Sequence, residues 1–153
     1  MAKDHPLSRL GSPVDELELA ARERLVDAKS LFDGGRYASA ISYGVYSVEI
    51  LLKVLICKRL NLAKLPIVFH IHDLQALLLY TGLTERFVGS KSPRNLAANW
   101  SQVVDVSRRM EGSRYKHDPV WDQDFAERFL LWLQDGEYGV ASCLRNEAFK
   151  KTH

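Results

Sequence analysis

Apolar positions recur at Val14, Leu17, Ala21, Leu25, Ala28 and Leu31 or Phe32. This is a one-sided stripe with helical spacing. It predicts a first helix opened by Ser12-Pro13-Val14-Asp15. Ser12 caps it, Pro13 takes its first position and Asp15 favours its positive end. Asp33-Gly34-Gly35 ends it. From Arg36 to Leu60 the stripe widens until the segment is apolar on nearly every side, through Val45, Tyr46, Val48, Ile50, Leu51, Leu52, Val54, Leu55 and Ile56. A helix of that kind is packed by several neighbours.

Two charges interrupt this second helix. Glu49 and Lys53 stand four residues apart, on one helix face, where they can pair. Stripping an ion of its water costs several kcal/mol, so neither persists alone in a core. Two readings stay open: a structural ion pair at a helix crossing or dimer contact, or the polar floor of a binding groove.

Beyond this helix, Asn61 to Ile71 reads as a connector broken at Pro66, with Ile67-Val68-Phe69 packed as a loop because no partner strand is evident. His72-Asp73 opens a short helix, Leu74 to Tyr80, with Asp73 as cap and Gly82 near the stop. Thr84 to Lys91 is a polar loop. Ser92-Pro93 repeats the Ser-Pro start, and a fourth helix runs from Arg94 to Met110 with Leu96, Trp100, Val103 and Val104 inward. Gly112 to Pro119 is a further loop. Asp122 caps a fifth helix carrying Phe125, Ala126, Phe129, Leu130, Trp132 and Leu133. Gly136 and Gly139 interrupt it, and Val140, Cys143, Leu144 and Phe149 suggest that helix resumes. The expected fold is all-α: an antiparallel up-and-down bundle of about five helices. Residues 1–11 form a flexible leader, 12–149 one bundle and 150–153 a basic tail.

Length and composition agree with this reading. The 153 residues suit one domain. The shares of hydrophobic and charged residues, 46% and 26%, are those of a soluble globular chain. A net charge of +2 is too small to argue for nucleic acid by itself. Cys57 and Cys143 lie in apolar helical stretches with no CxxC spacing, so two buried free thiols are expected. MAKDHPLSRLGSP lacks the apolar core of a secretory signal, and Glu49 and Lys53 interrupt the longest apolar stretch. The expectation is a cytoplasmic protein with no membrane span.

The densest polar cluster is Arg114-Tyr115-Lys116-His117-Asp118. Arg114 and Lys116 can hold a phosphate there while Tyr115 stacks on a base. The alternative is a solvated loop with Tyr115 tucked into the bundle. His72 beside Asp73 is either a titrating pair or part of the helix cap. His70 and His72 have no third ligand nearby, so no metal site is expected. With no glycine-rich phosphate loop or nucleophile elbow, no cofactor is expected either. Tyr37, Tyr43 and Tyr46, like Trp100, Trp121 and Trp132, read first as packing.

Taken together, the stretch LFDGGRYASAISYGVYSVEILLKVLICKRL resembles the helical core of HEPN domains (higher eukaryotes and prokaryotes nucleotide-binding). Gly35-Arg36-Tyr37, Ala40, Tyr43, Tyr46 and the Glu49/Lys53 pair carry the likeness. His72-Asp73-Leu74 is similar to the start of the next short helix in that family, and Arg114-Tyr115 to a segment after the following helix. The resemblance covers about Leu17 to Leu144. It implies a homodimer and an RNA or nucleotide ligand, in a toxin–antitoxin or antiviral setting, with a minimal nucleotidyltransferase as a further partner. Some members are metal-independent endoribonucleases, marked by an arginine followed after four to six residues by a histidine. In that chemistry the histidine exchanges a proton and the arginine stabilises phosphate charge. Here Arg114 and His117 have two residues between them, and Arg109 and His117 have seven. The expectation is therefore a non-catalytic binding or interaction module, with Glu49, Lys53, Tyr46, Arg109, Tyr115 and Lys116 as binding residues. The alternative is an endoribonuclease using Arg114 and His117.

Overall fold

A computed structural model describes residues 11–150. Among them the chain is all-helical, with seven α-helices. The leader expected over residues 1–11 and the tail over 150–153 lie outside the described residues except for Gly11 and Lys150.

Helix α1 spans Val14–Asp33 and turns Ala21, Leu25 and Ala28 inward, as the stripe predicts. Its start differs from expectation. Ser12 makes no side-chain cap. Its carbonyl accepts instead from Leu65 N–H at 2.8 Å, and Val14 N–H donates to Ala63 O at 3.0 Å. The entry to α1 is therefore held by the backbone of the connector that follows α2.

Helix α2, Tyr37–Arg59, is the central rod. It packs against α1 and the helices α3, Leu74–Thr81, α5, Arg94–Gly112, α6, Gln123–Gln134, and α7, Val140–Ala148. Contact on so many sides explains why it is apolar all round. By length and composition it would suffice to cross a membrane, but 78% of its most apolar window is buried among its neighbours. Gly44 lets α6 approach closely. A Cβ there would lie 2.7 Å from Phe129 Cε1 and 2.8 Å from Leu133 Cδ1. Lys58, near the end of α2, pairs with Glu18 at 3.0 Å and donates to Ala148 O at 2.5 Å, tying α1 and α7 to the rod.

The connector contains no strand. Ile67–Phe69 is a single 3-10 turn that buries Phe69, whose ring meets Tyr80 edge-on at 5.1 Å. Asp73 caps α3 by accepting from Ala76 N–H, and Gly82 closes it in the left-handed conformation. The segment expected as a polar loop from Thr84 holds a short helix, α4, Thr84–Phe87. Phe87 is fully buried there and packs on Trp100 at 5.6 Å. One anchoring aromatic makes a helical turn worthwhile where the pattern is otherwise polar. Ser92 does not cap α5; its hydroxyl donates to Arg86 O at 2.7 Å.

Asp122 caps α6, accepting from Phe125 N–H at 2.9 Å. The glycines after it do end the helix. The Asp135 carboxylate gathers Glu137 N–H and Tyr138 N–H, and α7 begins afresh at Val140. Helices α4 and α7 bring the observed seven above the expected five. Both cysteines are buried free thiols, and burial pushes each thiol up from its ordinary pKa.

Candidate functional site

Along one side of α2, Ala38, Ser42, Tyr46 and Glu49 recur at helical spacing and face a groove of about 750 Å³. The end of α5 and the loop after it form the opposite wall, through Ser107, Met110, Arg114, Lys116 and His117. The start of the α3 segment closes the groove with His72. This volume falls within the range of ligand clefts.

Glu49 is the hub of the floor. Its Oε2 accepts from Lys53 Nζ at 3.0 Å and its Oε1 meets His72 Nδ1 at 2.8 Å. The Glu49 and Lys53 side chains are only 12% and 9% exposed, while that of His72 is 75% exposed. The pair thus lies at the boundary between core and groove: the ammonium is packed beneath, and the carboxylate points outward far enough to hold an imidazole. The two side chains form an ion pair, and Glu49 of the pair lines the groove. Lys53 does not line the groove.

His72 does not act through Asp73. The Asp73 carboxylate is spent on Ala76 N–H at 3.1 Å. The cap fixes the start of α3, and the residue before it reaches across to α2. No local pattern announces this contact, because its partners are 23 positions apart.

The opposite wall has its own internal support. Arg109 bonds Asp118 through Nε at 3.2 Å and through its terminal nitrogen at 3.1 Å, and lies over the Trp121 ring at 5.4 Å. Arg109 is therefore engaged inside the wall, paired with Asp118. Val120 N–H donates to Asp118 at 3.1 Å. That backbone bond, followed by the Arg109 guanidinium and Ser113, holds the Asp118 carboxyl below the usual carboxylate range despite the opposing desolvation. Arg109 and Asp118 clamp the two ends of the loop carrying Arg114, Lys116 and His117.

Arg114 and Lys116 enter no ion pair among the described residues. Of the lining carboxylates, Glu49 and Asp118 are neutralised by Lys53 and Arg109, which leaves Glu111 as the unpaired acid among the described residues. Aromatic surface is close by. Tyr43 and Tyr46 meet edge-on at 5.9 Å, and both line the groove with Trp121. Tyr46 is 46% exposed. Tyr115 does not tuck into the bundle: it is 93% exposed, outside the groove lining. The Trp121 indole nitrogen is buried with no hydrogen-bond partner among the described residues.

Of the residues singled out from the sequence, the groove brings together Glu49, Tyr46, Arg114, Lys116 and His117, and it adds His72 as the imidazole on the floor. Lys53 and Arg109 support it from behind. No group of three or more histidine, cysteine, aspartate or glutamate side chains among the described residues is arranged to hold a metal ion. Comparison with protein-family models, with curated proteins and with solved structures finds no match for the chain.

Proposed function

We propose that the protein is an RNA- or nucleotide-binding helical module of HEPN type, and that the groove between α2 and the loop after α5 is its ligand site. One observation carries this reading. Two unpaired cations, Arg114 and Lys116, share a groove with the exposed ring of Tyr46, while two of the lining acids are already neutralised by Lys53 and Arg109. Cations hold the phosphate and aromatic faces stack on bases, which is how single-stranded RNA is gripped. The homodimer and the nucleotidyltransferase partner implied by the resemblance belong to the same proposal.

Titration of a labelled single-stranded RNA tests it. The wild-type protein binds, with affinity falling as salt rises. The Arg114→Ala/Lys116→Ala double variant binds at least about 10-fold more weakly, since each charge-assisted hydrogen bond contributes roughly 1.5–3 kcal/mol. Arg108→Ala, on the face where Arg108 bonds Gln75 at 2.7 Å, binds as wild type does. Equal affinity for all three proteins would overturn the assignment.

A second reading, a metal-independent endoribonuclease using Arg114 and His117, is favoured by the fact that both line the same groove of one chain. RNA cleavage in EDTA that disappears in Arg114→Ala and in His117→Ala would support it.

A further inference from the structure

A second cleft, sharing no lining residue with the groove, opens between α3, α4 and α5. It measures about 300 Å³, at the small end of ligand sites, which suits one small molecule. Its floor is apolar and buried: Phe87 from α4, with Trp100 and Val104 from α5. The Phe87 and Trp100 rings lie 5.6 Å apart. Its rim is charged. Asp105 and Arg108 stand three residues apart on α5, the spacing at which Arg24 and Asp27 pair at 2.7 Å on α1. On α5 the two do not pair. Arg108 turns to α3 instead and donates to Gln75 Oε1 at 2.7 Å. Neither Asp105 nor Arg108 enters an ion pair among the described residues. A third group is also unanswered. Trp100 is 2% exposed, and its indole N–H has no hydrogen-bond partner among the described residues. Folded proteins rarely leave a buried donor without an acceptor.

We propose that this cleft binds a free α-amino acid with a long apolar side chain. The ligand carboxylate pairs with Arg108 and its ammonium with Asp105, while its side chain covers Phe87, Trp100 and Val104. The charge pattern selects this class. An α-amino acid carries its two opposite charges on neighbouring groups, and the rim presents an acid and a base less than one helical turn apart. A simple anion, a phosphate included, would meet Asp105 as a like charge, and a simple cation would meet Arg108. The end of a peptide carries one of the two charges only. Methionine is the probe of choice. Its thioether packs well against aromatic rings, and its sulfur is a weak acceptor for the Trp100 N–H. The site stands apart from the RNA groove and does not depend on it.

The test titrates the isotope-labelled full chain, without RNA, with L-methionine, with 3-(methylthio)propylamine, which lacks the carboxylate, and with 4-(methylthio)butanoate, which lacks the ammonium. L-Methionine is expected to shift the Trp100 indole resonance and the amides of residues 101–108 to saturation. Each single-charge analogue should bind at least about 10-fold more weakly, the loss of one charge-assisted hydrogen bond. Asp105→Asn and Arg108→Gln should each weaken methionine binding by a similar factor. Both residues are exposed, so both variants fold. No saturable shift with L-methionine or L-phenylalanine at millimolar concentration overturns the site. So do shifts gathered at Tyr46 and Arg114 instead, or binding unchanged in both variants. An analogue that binds as tightly as methionine overturns the assignment of a zwitterionic ligand.

Discussion

Glu49 Oε1 lies 2.8 Å from His72 Nδ1, joining the central helix to the segment before α3 across 23 residues of chain. The same carboxylate holds Lys53 at 3.0 Å through its other oxygen. A single acid thus answers a buried cation on one side and an exposed imidazole on the other. It explains why the core helix tolerates charges in its most apolar part.

Replacing Glu49 with alanine strands the Lys53 ammonium, which is 7% exposed as a residue, without its carboxylate. Breaking a buried pair from one side costs about 3 kcal/mol. In a chain of this size the thermal midpoint falls by roughly 6–12 °C. Glu49→Leu/Lys53→Met, which removes both charges, recovers much of the loss. A melt shifted by a degree or less in Glu49→Ala would show that Lys53 reaches water without its partner.

Asp73 caps α3 through Ala76 N–H and immediately follows His72. Asp73→Ala costs about 1 kcal/mol in urea unfolding. It also loosens the anchor from which His72 reaches Glu49. The prediction is a small stability loss together with broadened or shifted His72 ring resonances. Unaltered stability and an unaltered His72 environment would show that the turn holds itself without the cap.

Asp118 gives a pH dependence whose sign follows from its bonds. Val120 N–H, then the Arg109 guanidinium, favour the charged carboxylate in the folded chain and lower its pKa. The stabilisation is therefore complete above the ordinary aspartate range and is lost as pH falls through the lowered folded value. Wild-type protein should be more resistant than Asp118→Asn to proteolytic cutting of the 113–118 loop at neutral pH. The advantage should shrink in strong acid, measured with an acid-active protease. An advantage that persists unchanged in acid would mean that the carboxylate does not clamp the loop.

Much of the fold is legible because long amphipathic or all-apolar segments announce themselves. The stripe from Val14 and the all-round apolarity around Leu51 place α1 and α2. Asp73 and Asp122 are caps as their types suggest. Ser12 and Ser92 are not, since their capping is replaced by contacts to Leu65 and Arg86 that no local pattern contains. Helix α4 escapes because four residues are too short for periodicity to show. In the groove, Tyr46 and Glu49 share a helix face that spacing reveals, and the polar cluster at Arg114 is visible by composition. What cannot be read locally is pairing across distance. Arg109 reads as a free cation until Asp118 and Trp121 are seen beside it, and His72 reads as a cap neighbour until Glu49 is.

The most direct test of the ligand site is residue-resolved. Adding a short single-stranded RNA to isotope-labelled protein and following its amide and ring resonances locates the contact without assuming any activity. The expected shifts gather at Tyr46, Glu49, His72 and the 113–117 loop, with the face around Gln75, Ala97 and Arg108 unmoved. Shifts centred on that second face, or none at millimolar RNA, would contradict it.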